Sequence, residues 1–253
     1  MADWSELKAE LQCWCDAGVM PTLWWRDDDA RKDSPELRRL AALSQAHGVP
    51  LALASIPKGS DSSLVELVGM NPLLTVLQHG YSHENHAPVG ERKCELGLDR
   101  PLSEIRAELE LGQGILTQMF TERFCPVLVP PWNRLCVELV ELLPRAGFIG
   151  LSTLGPRGGS ALGLEQVNVH VDLINWRAGR RFVGEQQALA QLVTHLRMRR
   201  EAKADPREAT GIMTHHLVHD EQVWAFLARL FEISREQGAL WCPAASLFSA
   251  GTD

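Results

Sequence analysis

The sequence predicts an α/β fold, a distorted parallel (β/α) barrel of seven or eight units, and three observations point there. Short apolar runs alternate with longer stretches of helical periodicity along the whole chain. Such alternation builds parallel strands covered by helices. The 253 residues suit one barrel, which takes about 250. A six-strand dinucleotide-binding sheet is the alternative, but no G-x-G-x-x-G follows the first strand.

The elements follow in order. The N-terminal MADWSELKAELQCW is charged and amphipathic, and TLWWR (22–26) reads as the first strand. The stretch 34–48 is a helix with Ser34 as N-cap, Pro35 in the first turn and Gly48 as its stop. Strands are expected at VPLALAS (49–55), LLTVLQ (73–78), PVLVP (126–130), FIGLS (148–152), QVNVHV (166–171) and TGIMTH (210–215), with a weaker one at ALWC (239–242). Helical spacing recurs over 103–120, 135–147, 185–202 and 221–238. The glycine-rich GPRGGSALG (155–163) lies between two strands with no helix behind it, so it reads as a surface loop rather than a phosphate cradle. No repeat or linker divides the chain, which is expected to be one domain over 1–253.

Composition narrows the function classes. Hydrophobic content of 45% and charged content of 23% are those of a globular protein. A net charge of −7 disfavours a nucleic-acid partner, although it leaves room for a local basic patch. The N-terminus has no basic start followed by an apolar core, and no apolar run is long enough to span a bilayer. The six cysteines are scattered without a C-x-x-C, as reduced thiols in a cytoplasmic protein would be.

Two segments carry chemistry. HGYSHENH (79–86) holds His79, His83 and His86, three of the nine histidines, directly after an apolar strand. Imidazole is the commonest side-chain ligand for zinc and related ions. Three imidazoles leaving a strand therefore suggest a metal site at its carboxyl end, where barrels keep their chemistry. Asp27, Asp28 and Asp29 follow Arg26 at the end of the first strand. Adjacent carboxylates repel one another in a folded site unless a cation or hydrogen bonds compensate. A barrel puts Asp28 and Asp29 on the same rim as His79 and His83. One carboxylate and two imidazoles leave an open position on a metal, and a second carboxylate beside it can take a proton from water. Taken singly, each segment is also consistent with a solvated turn.

With three further segments in fixed order over about residues 22–220, the chain resembles the polysaccharide deacetylase superfamily, the NodB-homology family of chitin and peptidoglycan deacetylases. The resemblance implies a NodB-like barrel in which RDDDA supplies the base and a metal ligand: Asp28 and Asp29, or Asp27 and Asp28 in the other register. HGYSH would supply His79 and His83 as ligands, leaving His86 outside the set. VPPWNR (129–134) resembles the Arg-x-Pro-Tyr motif through Pro131 and Trp132, whose backbone N–H would serve the oxyanion. Val129 replaces the family arginine, and Arg134 is a candidate substitute. DLINW (172–176) resembles Asp-x-x-Asp-Trp through Asp172 and Trp176, with Asn175 in place of the second aspartate. MTHH (213–216) resembles the motif of the general acid, His215, with His216 as the adjacent alternative. His219 and Asp220 are expected at the cap of the following helix.

The resemblance further implies a metal-dependent hydrolase of carbon–nitrogen bonds other than peptide bonds. It would remove an acyl group, N-acetyl foremost, from a sugar or related amide, with a metal-held water as nucleophile. The cofactor implied is a divalent metal, zinc first, and the partner an acetylated sugar or small glycan. Two other readings stay open: a non-catalytic carbohydrate-binding relative, and another metal-dependent barrel hydrolase of the amidohydrolase or phosphoesterase kind. The latter families usually place His-x-His after the first strand, where this chain has RDDDA.

Overall fold

The computed structural model describes residues 3–157 and 164–249. Helix α1 (Trp4–Asp16) starts at Asp3, whose carboxylate accepts from the Ser5 and Glu6 amides. It leads into β1 (Thr22–Ala30), α2 (Pro35–His47), β2 (Leu51–Ser55), α3 (Ser62–Met70), β3 (Leu74–His79), α4 (Leu102–Phe120) and β4 (Phe124–Val129). Next come α5 (Val137–Val140), β5 (Gly150–Leu151), β6 (Glu165–Gln166), β7 (Val171–Asp172), the β8 (Ile174–Asn175)–β9 (Arg181–Phe182) hairpin and α6 (Glu185–Arg200). The chain closes with β10 (Thr210–Thr214), α7 (Glu221–Glu236), β11 (Leu240–Trp241) and α8 (Ala244–Phe248).

The main sheet is parallel throughout, in the order β6-β5-β4-β3-β2-β1-β10-β7, with β11 added beside β1. Residues 165–172 close it. At their start they pair with β5, through Val167 N–H to Leu151 O and Val169 N–H to Thr153 O. At their end they pair with β10, through His170 N–H to Gly211 O. The sheet thereby curls into the expected distorted barrel. The single strand expected over 166–171 is instead two short pairings, because the segment changes partner halfway.

Side chains sort by the two-residue period of the strands. Trp24, Ala52, Ala54, Leu77, Val127, Val129 and Met213 fill the interior, with Phe248 of α8 joining them. Leu23, Trp25, Leu53 and Ile212 face outward and meet the helices. Ser34 caps α2 and Gly48 ends it in a left-handed conformation, as the sequence predicts. The helix expected over 135–147 shrinks to α5 and a 3-10 turn at Pro144–Ala146, since Pro144 lacks an N–H and its ring crowds the preceding turn. Helix α3, capped by Asp61, stands where no element was expected; its buried Leu64, Leu67 and Val68 have helical spacing, but over only nine residues. Of the glycine-rich loop, residues 158–163 lie outside the described residues. Among the described residues no helix is long and apolar enough to cross a membrane.

Phe248 is buried and meets the Trp24 ring edge-on at 6.2 Å, so α8 closes the barrel from below. Phe248→Ala should cost about 3–5 kcal/mol of unfolding free energy, measured by urea titration, because the cavity opens between rigid strands.

Candidate metal and catalytic centre

The three aspartates lie inside β1, whose hydrogen-bonded register continues to Ala30. Strand alternation sends the first two to opposite sides. Asp27 turns outward with Trp25. Its carboxylate accepts from the Thr214 hydroxyl at 2.7 Å and the His216 amide at 3.0 Å, and it pairs with His216 Nδ1 at 2.5 Å. Asp28 turns inward with Trp24 and Arg26. The fully buried Arg26 guanidinium clamps it with two bonds, Nε to Oδ1 at 2.8 Å and Nη2 to Oδ2 at 3.0 Å. Arg26 also donates to Ser152 O and Oγ and to Asn133 Oδ1.

Asp29 breaks the alternation. Its φ of +76° coincides with a shift in register against β2, a bulge that re-aims the side chain. Asp29 Oδ1 then lies 3.2 Å from both His79 Nε2 and His83 Nε2. All three ligand atoms fall within 4.8 Å of one another, as metal-ligand atoms do. His79, the last residue of β3, donates from Nδ1 to Val129 O at 2.9 Å. A carbonyl can only accept, so the neutral ring has its Nε2 lone pair free, the tautomer a metal needs.

His83 sits in the following loop at φ +60°. The loop is organised by Glu95, fully buried, whose carboxylate accepts from the amides of Tyr81 at 3.0 Å, Ser82 at 2.7 Å and His83 at 3.1 Å. Gly80 is required there: at φ +56° its position leaves no room for a Cβ, which would meet the Glu95 carboxylate and the Pro131 ring.

The charges follow this geometry. Burial raises the Asp29 carboxyl, but the facing histidines, His79 foremost, win and hold it well below the carboxylate range. Burial and then the neighbouring His79 push His83 down to about 4. Asp29 Oδ1 nevertheless has no hydrogen-bond partner although buried. An unpartnered anionic oxygen facing two imidazole nitrogens is the setting a divalent cation fits.

His215 follows β10 and brings Nε2 to 3.9 Å from Asp28 Oδ2. Its ring rests against the edge of Trp176 at 4.6 Å, and its buried Nδ1 has no partner. Asp172 accepts from Trp176 Nε1 at 2.9 Å and from the Ile174 amide at 2.9 Å; burial raises its pKa. The Trp132 ring lies 4.4 Å from that of His83, in a turn where Trp132 and Asn133 both have φ of +55°. The structure therefore gathers Asp28, Asp29, His79, His83, Pro131, Trp132, Asp172, Trp176 and His215 at one rim. His216 faces Asp27 instead, and His86 is outside the cluster. Asp220 caps α7, and His219 packs on Trp224.

No family model matches the sequence, and no curated protein does. Solved structures do match. A Mycobacterium smegmatis protein assigned as a polysaccharide deacetylase superposes with a TM-score of 0.64 at 15% identity, over 91% of this chain and 90% of that one. A family 4 acetyl xylan esterase from Clostridium thermocellum, in complex with a cobalt ion, gives 0.53 at 12% identity, over 90% and 91%. A pseudoenzyme of the same esterase family from Bacillus anthracis gives 0.58 at 15% identity, over 90% and 66%. The fold is that of the polysaccharide deacetylases.

Within this polysaccharide deacetylase fold, the two sequence departures have local explanations. Val129 packs in the barrel interior while its carbonyl holds His79. Arg134 does not replace the missing arginine; it reaches out to Lys93 O. The guanidinium on Asp28 is that of Arg26, which the sequence offered only as a landmark. Asn175 has become a turn residue, accepting from the Arg177 and Ala178 amides. Glu95 was also missed, since an acidic residue in a long polar loop gives no signal of burial.

A second cluster, His170, His195 and Glu208, is spaced like metal ligands but built differently. The Gly211 amide donates to His170 Nδ1 at 3.0 Å, so the neutral ring carries its proton on Nε2. The two rings stack with centroids 3.4 Å apart and planes 17° from parallel, so their lone pairs do not converge on one point.

Two measurements check this geometry. Glu95→Gln places an amide donor against a backbone donor and should weaken metal affinity about 10–100-fold in a metal titration, with a smaller effect on melting. The buried Asp27–His216 pair should give a pH signature. Burial raises Asp27 and lowers His216, but in each case the partner wins, lowering the carboxyl below 3.8 and raising the imidazole above 6.5. The carboxylate's contribution is lost as pH falls through its lowered value, and the imidazolium's as pH rises through its raised value. The stability difference between the native protein and Asp27→Asn should therefore peak between about pH 4 and 6.5 and shrink above it.

Proposed function

We propose that this protein is a metal-dependent deacetylase that hydrolyses an N-acetyl group from a sugar or a related amide. The observation that supports this most directly is the unpartnered Asp29 Oδ1 between two imidazole nitrogens, with Asp28 and His215 beside it. Asp29, His79 and His83 would hold a divalent metal, zinc first given two nitrogens and one carboxylate; the Clostridium relative carries cobalt. The metal supplies Lewis acidity toward the acyl carbonyl and toward water.

The remaining roles belong to the chain. Asp28, fixed by Arg26 in one orientation, accepts the proton of the attacking water through Oδ2. The Trp132 N–H donates to the developing oxyanion. His215 protonates the leaving amine from Nε2, its ring held upright by Trp176. Asp172 holds the indole of Trp176, which rests on the His215 ring, and it feels the His215 charge. A base that takes the water's proton and an acid that gives one to the leaving amine are what amide hydrolysis needs.

His79→Ala should lose bound metal and all acetate release. Asp28→Asn and His215→Ala should keep the metal and lower kcat by about 10²–10⁴-fold. Metal analysis with an acetate assay on acetylated sugars reads both; full metal content in His79→Ala would falsify the ligand assignment.

A further inference from the structure

The rim of the centre is basic on an acidic protein. A cavity of about 310 Å³ opens directly beside Asp29 and His83, and its other wall carries Arg31, Lys32 and Ser34. Arg31 is held in place: Nη1 donates to Lys58 O at 3.2 Å and Nη2 to Ser82 O at 2.9 Å. Two of its five N–H groups are thus used, and the others remain for a ligand. Lys32 is exposed. Its nearby acid, Asp61, is engaged at the start of α3, where it takes the Ser63 amide.

Further cations stand on neighbouring rim loops: Lys93, 5.9 Å from the Trp132 ring, and Arg177 and Arg180 in the hairpin after Trp176. Among the described residues none of these five cations has a carboxylate within 4 Å, whereas Arg26, Arg39, Arg157 and Arg200 do. A net charge of −7 makes this clustering local rather than general. Charges of one sign around a cleft focus the field and draw in ligands of the other sign.

We propose that the substrate is an acylated amine that also carries an anionic group, a phosphate or carboxylate, seated against Arg31 and Lys32. This rests on the deacetylase reading for the acyl end and names the chemistry of the other end. The planar Arg31 fork orients the anion, and Lys32 adds a point charge at the cavity mouth.

The test compares N-acetylglucosamine, its 6-phosphate and N-acetylmuramic acid as substrates of the metal-loaded full chain. At least one anionic substrate should exceed the neutral one tenfold or more in kcat/KM, through KM. The two arms separate phosphate from carboxylate. Lys32→Glu, an exposed change that the fold tolerates, should reduce that preference at least tenfold, and Arg31→Lys should reduce it with charge retained. Equal turnover of all three sugars, or a preference indifferent to Lys32→Glu, would overturn the inference and leave the deacetylase reading standing. If none is hydrolysed, inorganic phosphate is titrated instead. Phosphate binding weakened by Lys32→Glu then upholds the anion site while the sugar-deacetylase reading falls; binding unchanged by that substitution overturns the anion site.

Discussion

Three consecutive carboxylates at the end of a buried strand coexist only if each finds its own compensating charge. Like charges this close, out of water, otherwise force protonation or unfolding. The strand solves this by direction. Asp27 goes outward to His216, Asp28 goes inward to Arg26, and the bulge at Asp29 turns the third toward the histidines. The first two have a permanent partner within the chain. Asp29 faces two imidazoles instead: His79, pushed up by the Asp29 and Asp28 carboxylates against burial, and His83, pushed down by burial and then by His79. The one carboxylate without a fixed cation is thus the one placed to share an external one.

That distribution was only partly legible in the sequence. The barrel followed from periodicity because strand and helix periods are local properties. His79 and His83 stood out because two histidines at the exit of an apolar run are rare. The choice between His215 and His216 could not be read, since both lie at a strand end and the deciding contact, Asp27 to His216, links residues 189 apart. Arg26 and Glu95 were invisible as functional residues for a related reason. A charged side chain usually marks solvent, and only a closed barrel shows that these two are fully buried.

Val129 and Asn175, where the motifs that the sequence resembles have an arginine and an aspartate, each have a structural part here. Val129 puts no charge on β4, and the barrel interior holds its guanidinium on β1 instead, where Arg26 reaches Asp28 from two residues away. A valine at 129 also leaves the backbone undisturbed, and its carbonyl is what fixes the His79 tautomer. Asn175 loses a charge at a place where the chain turns, and its side chain closes that turn.

The backbone records the same division of labour. Among the described residues seven non-glycine positions have positive φ, and four of them, Asp29, His83, Trp132 and Asn133, lie at the centre, at the ends of β1, β3 and β4. Each costs about 1–2 kcal/mol relative to a relaxed conformation. Such strain persists only where surrounding contacts over-determine it. Those contacts are identifiable: the Glu95 carboxylate on three loop amides, the Arg26 bond to Asn133, and the β2 register that resumes after Asp29. The strain lies on the residues that would touch metal and oxyanion, and the burial that sustains it lies one layer back. A centre built this way holds its side chains at fixed angles, while Arg31, Lys32 and Arg177 lie on the loops beyond it, outside the strained turns.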